Sequence, residues 1–332
     1  MSDPDFISTK ETSMELQDAY KPIEMELLGV QHKVSKQFQD SDEQLSSVLQ
    51  VLSAGQGKML RPAMALLCGK LFSELCDEHI DCAAMVELIH MASLMHDDVI
   101  DKAHLRRGQP SANALWGNTA AVLLGDFLLS RAFTLAAASD CDGVAALLGR
   151  TAQILCVGEL KQNLFKGRFD LTEQDYFQMI EAKTAGLFRC SCQLGAMVSG
   201  ASKDRQAILG QFGRQFGLAF QIADDLRDIL SSENKEGKTL GTDLQQKKFT
   251  LPVIHWISQD GGQKQMRIEQ IAALKDPREL TKQMRLSGSI DYASEQAQSR
   301  IEQAKQSLNP FPATPAKEAL LLFADQVLVD IA

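Results

Sequence analysis

The sequence predicts an all-α protein, and two observations support that prediction. No proline occurs between Pro110 and Pro252, so the central stretch of the chain lacks the residue that most often breaks helices. Ala and Leu are abundant there, whereas Val, Ile and Thr show no sustained two-residue alternation of the kind that marks β-strands. Such a sequence is typical of long packed helices.

The N-terminal region fits the same class. Residues 1–18 are polar and lack an apolar core, which predicts a disordered tail and argues against a secretory signal. From Tyr20 to Leu52 the apolar residues recur at helical intervals, with a break near residues 40–42. This pattern predicts two helices joined by a short acidic turn.

The C-terminal region contains the clearest loops. Residues 261–265 (GGQKQ) and 309–315 (NPFPATP) predict loops, and residues 317–331 predict a closing amphipathic helix. Mid-helix glycines such as Gly158 predict close packing between helices. The chain shows no internal repeat, low-complexity tract or linker, so we expect one helical domain over residues 19–332.

Composition and charge exclude several classes of function. A net charge of −9, without a basic cluster interleaved with aromatics, argues against nucleic-acid binding. The seven cysteines lack CxxC spacing, which excludes the usual zinc pattern and predicts reduced thiols in a cytoplasmic protein. No run of 18 uninterrupted apolar residues occurs, which predicts that no segment spans a membrane.

An acidic motif follows an apolar helical run at residues 97–101 (DDVID). Asp97 and Asp101 are four residues apart, so on a helix they would project from one face as paired oxygen donors. Such a pair suits Mg²⁺, which takes one or two protein carboxylates and leaves its other positions to water and phosphate oxygens. Arg106 and Arg107 follow, and guanidinium groups match phosphate geometry. Together these residues predict a metal-bridged diphosphate site.

The same motif returns at residues 224–228 (DDLRD), again after an apolar helical run. At an Asp frequency near one in twenty, chance gives on the order of 0.05 DDxxD matches in a chain of this length. Two unrelated acidic helix ends therefore explain the pattern poorly. The repetition favours two parts of one metal-binding function.

The ordered motifs resemble those of the trans-isoprenyl (polyprenyl) diphosphate synthases, and most closely the medium- and long-chain all-trans enzymes. The resemblance implies an all-helical bundle of the isoprenoid synthase type, with the two aspartate motifs facing each other across a deep central cavity. It rests on GKMLRP at 57–62, DDVID at 97–101, RR at 106–107, KT at 183–184, FQ at 220–221, DDLRD at 224–228 and GK at 237–238.

The resemblance also implies a reaction, namely the head-to-tail condensation of isopentenyl diphosphate with an allylic diphosphate. Three Mg²⁺ ions, which Mn²⁺ can replace, are implied as cofactors, with Asp97, Asp101 and Asp224 as their ligands. Asp98 and Asp228 are implied to contact the metals indirectly, and Asp225 completes the catalytic aspartates. The implied isopentenyl diphosphate residues are Lys58, Arg61, His90 and Arg107, and those for the allylic diphosphate and its metals are Arg106, Lys183, Thr184, Gln221, Lys238 and Lys248.

Product length depends on the residues that precede the first motif. Ala92 and Ser93 lie about one helical turn before Asp97, and Ile89 lies on the next turn. Synthases similar to this chain that stop at fifteen carbons usually place an aromatic residue at one of the first two positions. Small residues there imply a product longer than twenty carbons, in the range of about thirty to fifty. A bulky side chain from another helix, such as Phe127, could still stop the chain earlier.

Other functions compete with this one. A farnesyl- or geranylgeranyl-length synthase remains an alternative product class. A terpene cyclase would normally carry a different second metal motif, and a non-catalytic regulatory subunit would typically lose an aspartate motif, whereas this chain keeps both. Arg227 departs from the family pattern, and its position allows a place near the metals or a pair with Asp228.

The resemblance further implies a homodimer, and the apolar run Ala112–Ala138 is a candidate contact helix, although it could equally be central core. Expected partners are the two diphosphate substrates, without nucleic acid. The product can be handed to membrane enzymes.

Overall fold

The computed structural model describes residues 14–39, 57–106, 108–230, 246–259, 264–272 and 277–329. These residues are helical apart from loops and one antiparallel pair of two-residue strands, β1 (Leu105–Arg106) and β2 (Gln109–Pro110). The predicted all-α class is therefore confirmed. The predicted acidic turn near residues 40–42 and the helix after it lie outside the described residues.

The chain divides into two compact units. The first comprises Met1–Ala152, Leu187–Gly210 and Leu308–Phe323, and the second comprises Gln153–Gly186, Gln211–Ser307 and Ala324–Ala332. The expectation of one domain over residues 19–332 remains a prediction. Part of the predicted tail is helical, because α1 begins at Met14.

The first unit is built on a long helix with apolar neighbours on most sides. Its helices are α1 (Met14–Tyr20), α2 (Glu24–Gln39), α3 (Leu60–Lys70), α4 (Asp77–Ile100), α5 (Ala112–Ala137), the start of α6 (Val144–Phe165), most of α8 (Gly186–Val198), and the first parts of α9 (Lys203–Leu230) and α14 (Pro315–Val329). A short 3-10 turn, Lys21–Ile23, joins α1 to α2.

Helix α4 begins with a capping box. The backbone N–H of Cys76 donates to Nδ1 of His79 over 3.2 Å, while the Cys76 side chain faces the N–H of His79. Asp77 and Glu78 lie in the first turn, where carboxylates interact favourably with the positive end of the helix dipole. Ala83, Ala84 and Leu88 have no accessible surface, so α4 runs through the core of this unit.

Close approach between α3 and α8 depends on a glycine. A Cβ atom at Gly195 would lie 1.9 Å from the carbonyl oxygen of Ala65, which no real side chain tolerates. The prediction that some mid-helix glycines permit close packing is therefore confirmed at this position.

The second unit supplies a separate core. It contains α6 from Gln153, α7 (Glu173–Ile180), a π-helical turn (Glu181–Ala185), α9 from Gln211, α10 (Leu251–Ser258), α11 (Lys264–Ala272), α12 (Pro277–Leu286), α13 (Ser289–Ser307) and the end of α14. Its fully or nearly fully buried residues include Tyr176, Ile222, Leu226, Val253 and Trp256. Thr172 caps α7, because its hydroxyl accepts from the Asp175 N–H over 3.1 Å.

Helix α5 is the one described helix that is long and apolar enough to cross a membrane, with a mean hydropathy of 1.5 over its best window. This is a statement about length and composition only. Ala121, Leu128 and Ala132 on this helix are fully buried within the first unit, whereas 62 % of Leu123 is accessible.

Candidate active site

The first aspartate motif lies at the C-terminal end of α4, whose last turn contains no basic residue. Asp101 is the C-cap, and its N–H donates to the Asp97 carbonyl over 2.8 Å, so both side chains share one helix face. The C-terminal end of a helix carries partial negative charge, which disfavours carboxylates there unless a cation binds nearby. The motif is therefore arranged to attract positive charge.

Arg106 already supplies one such charge. Its Nε donates to Oδ2 of Asp98 over 2.8 Å and its Nη2 donates to Oδ1 over 2.7 Å, a forked pair across the start of the strand pair. Asp98 is only 5 % exposed, so this carboxylate is committed to Arg106. A guanidinium has five donors. The fork leaves Nη1 for an anion, which is compatible with the predicted role of Arg106.

Two residues predicted to bind isopentenyl diphosphate lie together in the first unit. Arg61 donates from Nη1 to Nε2 of His90 over 3.2 Å, and its guanidinium lies 4.3 Å above the ring centre of Phe188. Because arginine can only donate, Nε2 of His90 is the acceptor of this bond. Nearby in sequence, Lys58 has an exposed side chain and a backbone carbonyl that accepts from the hydroxyl of Tyr20.

The second aspartate motif lies in the last two turns of α9 in the second unit. Arg227 donates from Nη2 to Oδ1 of Asp224 over 3.1 Å. Surrounding protein disfavours the charged carboxylate and raises the pKa of Asp224, with Asp228 adding to the rise and Arg227 opposing it. Since 59 % of the Asp224 side chain is accessible, solvent moderates this shift.

The middle aspartate of this motif belongs to a buried chain of hydrogen bonds. Tyr176 donates its hydroxyl to Oδ2 of Asp225 over 2.6 Å, and Gln221 donates its amide to Oδ1 over 2.8 Å. Thr184 in turn donates its hydroxyl to Oε1 of Gln221 over 2.7 Å. The structure thus joins Asp225, predicted as a catalytic aspartate, to Thr184 and Gln221, which were both predicted to hold the allylic diphosphate.

Lys183 lies on the π-helical turn that carries Thr184. Its Nζ is 2.5 Å from Oε2 of Glu159, and the two side chains are only 20 % and 14 % exposed. The turn packs tightly on α6, because a Cβ atom at Gly158 would lie 2.5 Å from the Lys183 backbone nitrogen. π-Helical turns are rare and occur often at functional sites.

Comparisons with known proteins identify the family of this chain. The family model for polyprenyl synthetase matches residues 42–286. The chain belongs to the polyprenyl synthetase family.

Relatives and neighbours extend that match over most of the chain. The octaprenyl diphosphate synthase of Escherichia coli is 30 % identical over 312 residues, which cover 93 % of this chain and 97 % of the relative. The geranylgeranyl diphosphate synthase of Methanosarcina mazei is 32 % identical over 291 residues, covering 86 % and 90 %. The crystal structure of a decaprenyl diphosphate synthase from Rhodobacter capsulatus matches with a TM-score of 0.90 at 29 % identity, covering 96 % and 99 %.

Membership of this family confirms that the protein is a prenyltransferase, as the sequence predicted. The family uses Mg²⁺ to bind diphosphates. Among the described residues, no group of three or more His, Cys, Asp and Glu side chains is arranged to hold one ion. Mg²⁺ is usually held by one or two carboxylates together with substrate phosphates and water. The carboxylates at both helix ends fit such ions.

The residues predicted to determine the length of the prenyl product differ in accessibility. Ala92 and Ile89 are 0 % and 1 % exposed, whereas Ser93 is partly accessible and donates its hydroxyl to the His90 carbonyl over 2.8 Å. Phe127 is partly buried under Arg131, whose guanidinium lies 5.3 Å from its ring centre. Ser93 is therefore the position at which a larger side chain would displace the least packed protein.

Three further residues were predicted to bind substrate. Lys248 lies in the segment before α10 and is partly buried, while Arg107 and Lys238 lie outside the described residues. The sequence analysis missed Tyr176, Glu159 and the fork by which Arg214 donates to both oxygens of Glu181 over 2.6 Å. Gly158 was the one available signal, since a glycine inside a helix often marks a close contact.

Proposed function

We propose that the protein is an Mg²⁺-dependent all-trans polyprenyl diphosphate synthase that condenses isopentenyl diphosphate with an allylic diphosphate. The observation that supports this most directly is the placement of both DDxxD motifs at the C-terminal ends of long helices. Carboxylates there favour cations, and lysine and arginine side chains accompany each motif. A terpene cyclase would not need the second motif together with GKMLRP.

Three carboxylates are proposed as metal ligands. Asp97 and Asp101 would hold two Mg²⁺ ions and Asp224 a third, and Mn²⁺ can replace Mg²⁺. The bound ions supply positive charge that stabilises the departing diphosphate. Asp98 keeps Arg106 in place, and Asp225 keeps Gln221 in place, so both act beside the ligands rather than as ligands.

Lysine and arginine side chains of the protein would also stabilise the departing diphosphate. Breaking the carbon–oxygen bond of the allylic substrate separates an allylic cation from a diphosphate anion. Arg106 and Lys183 would bind that anion, and the ion pair with Glu159 holds the Lys183 ammonium in place. The alkene of isopentenyl diphosphate then attacks the cation, and the released diphosphate accepts the proton that is lost. No covalent nucleophile is required.

The second substrate needs its own anchor. Arg61, fixed between His90 and Phe188, would bind the diphosphate of isopentenyl diphosphate, with Lys58 and Arg107 adding charge. Arg61 is pre-organised by these contacts, which lowers the entropy lost on binding. His90 acts here through Arg61.

The product is proposed to exceed twenty carbons, in the range of about thirty to fifty. Small side chains at Ala92 and Ser93 support this length, as does the similarity to the octaprenyl enzyme of Escherichia coli. A geranylgeranyl-length product is the second candidate, because the Methanosarcina mazei enzyme is similar over nearly the same extent.

We further propose a cytoplasmic homodimer. A dimer contact is supported by large apolar side chains left accessible on two helices, since monomers rarely expose such faces. These are Leu115, Val122, Leu123 and Phe133 on α5, and Ile154, Val157, Leu160 and Leu164 on α6. A mass measurement in solution at micromolar concentration should give twice the chain mass, and Leu123→Glu should weaken the dimer. A wild-type mass of one chain would contradict the proposal.

The activity itself is tested by supplying isopentenyl diphosphate with an allylic diphosphate and measuring released inorganic diphosphate. Release should require both substrates and should stop when the divalent ions are chelated and resume when Mg²⁺ is restored. Diphosphate release from the allylic substrate alone, with a hydrocarbon product, would instead indicate a cyclase.

A further inference from the structure

Tyr176 is a fully buried residue at the start of the hydrogen-bond chain in the second unit, and no role in the reaction has been given to it above. It is 1 % exposed and lies on α7, 49 positions before Asp225 in the sequence. Its hydroxyl lies 2.6 Å from Oδ2 of Asp225, a length typical of a hydroxyl donating to a charged carboxylate.

The direction of each hydrogen bond in this series is fixed. Because a carboxylate only accepts, Tyr176 and the amide of Gln221 must both donate to Asp225. The Gln221 carbonyl then faces the other way, where Thr184 donates to it. The orientation of the amide, and with it the hydroxyl of Thr184, therefore follows from the two bonds to Asp225.

The residues at the two ends of this hydrogen-bond series lie next to groups that take part in the proposed reaction. Thr184 adjoins Lys183 on the π-helical turn, and Asp225 adjoins Asp224 on α9. The turn is held from other directions by the Gly158 contact and by the fork of Arg214 on Glu181. These hydrogen bonds link the turn to the aspartate motif through the buried side chains of Thr184 and Asp225 and the partly buried side chain of Gln221.

We propose that Tyr176 is a positioning residue for the allylic diphosphate site, acting through Asp225, Gln221 and Thr184. It sets the distance between Lys183 and Asp224 by orienting the carboxylate on which the chain depends. This inference rests on the proposed function, since it assumes that both ends of the chain serve the allylic diphosphate.

Removing the hydroxyl should loosen the chain without opening a cavity of any size. In Tyr176→Phe, Oδ2 of Asp225 loses a buried donor, so the carboxylate is held less firmly and orients Gln221 less precisely. Losing a hydrogen bond to a charged group typically weakens an interaction by roughly tenfold or more. We expect kcat/KM for the allylic diphosphate to fall by about tenfold or more, while KM for isopentenyl diphosphate stays within about twofold.

The chain offers a matched control. Tyr292 also lies in the second unit and donates its hydroxyl to a carboxylate, Glu173, over 2.7 Å, but it is not part of the hydrogen-bond chain. Tyr292→Phe loses the same kind of bond. Both variants should lose some thermal stability, whereas only Tyr176→Phe should change the allylic parameters. Thr184→Val tests the other end of the chain and should show the same substrate selectivity as Tyr176→Phe.

The experiment compares wild type, Tyr176→Phe, Tyr292→Phe and Thr184→Val by steady-state kinetics and by calorimetric binding of inorganic diphosphate with Mg²⁺. Weakened diphosphate binding and a selective allylic defect in Tyr176→Phe and Thr184→Val, absent from Tyr292→Phe, support the inference. Equal effects of the two tyrosine variants would overturn it, as would equal effects on both substrates. If Tyr176→Phe does not fold, Thr184→Val decides by the same criteria. If the wild type makes no prenyl product, the proposed function fails, and diphosphate binding alone decides about Tyr176.

Discussion

Arg227 donates from Nη2 to Oδ1 of Asp224 over 3.1 Å, so an arginine unusual for the family motif pairs with a carboxylate that we propose as a metal ligand. Its Nε also lies 3.3 Å from the Ala223 carbonyl, an interaction along the helix. The sequence left open whether Arg227 lies near the metals or pairs with Asp228, and its bond to Asp224 places it beside a proposed metal ligand. The guanidinium and a bound cation would compete for the same oxygen.

Replacing Arg227 should therefore strengthen metal binding. The pair is partly exposed, 34 % and 59 %, so its worth is about 0–1 kcal/mol and the effect is modest. In Arg227→Leu we expect the Mg²⁺ concentration for half-maximal activity to fall by about two- to fivefold. Arg168→Leu breaks another exposed arginine–aspartate pair of this unit, with Asp170, and serves as control. An unchanged or higher Mg²⁺ requirement in Arg227→Leu would show that the pair does not compete.

The position of Arg227 illustrates what could and could not be predicted from the sequence. The sequence left open whether Arg227 lies near the metals or pairs with Asp228, because the choice depends on the side-chain rotamer. Helical periodicity correctly placed both aspartate motifs on helices. It could not find Tyr176, since a hydrogen bond between residues 49 positions apart depends on how helices pack. The fork of Arg106 on Asp98 likewise required the strand pair, whose two-residue strands carry no sequence periodicity.

Removing Asp97 should abolish turnover without unfolding the protein. We expect Asp97→Ala to lose at least about a hundredfold in kcat, since a principal source of transition-state stabilisation disappears. Its thermal midpoint without Mg²⁺ should hold or rise, because a carboxylate at a helix C-terminus opposes the dipole.

The control lies on the same helix. Asp77→Ala removes a carboxylate from the first turn of α4, where it favours the dipole, so this variant should be slightly less stable and fully active. Kinetics and thermal melts of the two variants measure both effects. Near-native turnover of Asp97→Ala would contradict its assignment as a metal ligand, and Asp224→Ala tests the second motif in the same way.

The two substrates should respond to different cations. Arg61→Gln should raise KM for isopentenyl diphosphate by about tenfold or more, because it also loses the contact with His90. Lys183→Gln should instead raise KM for the allylic substrate or lower kcat, since its ammonium would bind the leaving diphosphate. Initial rates measured while varying each substrate separate these cases. If each variant affected both substrates equally, the assignment of two separate anion sites would be wrong.

Protonation of His79 should destabilise the first unit. Burial lowers the pKa of His79 below its ordinary value of 6.5, and its Nδ1 already accepts the Cys76 N–H over 3.2 Å. The folded state therefore binds this proton less readily than the unfolded state. The associated stability is present above pH 6.5 and is lost as the pH falls from 6.5 towards the lowered value.

Urea unfolding between about pH 8 and about pH 5 measures this effect. The free energy of unfolding of the wild type should decrease over that range, and the decrease should be smaller in His79→Gln, which cannot take up the proton. Parallel pH dependences of the two proteins would mean that other groups account for the loss.

A larger side chain beside the first motif should shorten the product. Ser93→Phe places a ring about one helical turn before Asp97, where the side chain is already partly accessible. Ala92→Phe should act in the same direction, but Ala92 is fully buried, so the ring must displace packed neighbours and reduce stability by about 1–3 kcal/mol. Both variants should keep metal-dependent activity. Products of unchanged length from a folded Ser93→Phe would show that the growing chain does not pass this face of α4.

The mass of the wild-type product tests the central claim most directly. The protein is incubated with Mg²⁺, isopentenyl diphosphate and allylic diphosphates of several lengths, and the extracted prenyl products are weighed by mass spectrometry. We predict a Mg²⁺-dependent series that ends beyond twenty carbons, in the range of about thirty to fifty. A product that stops at fifteen or twenty carbons with every primer would contradict the long-chain assignment, and the absence of any elongated product would contradict the synthase itself.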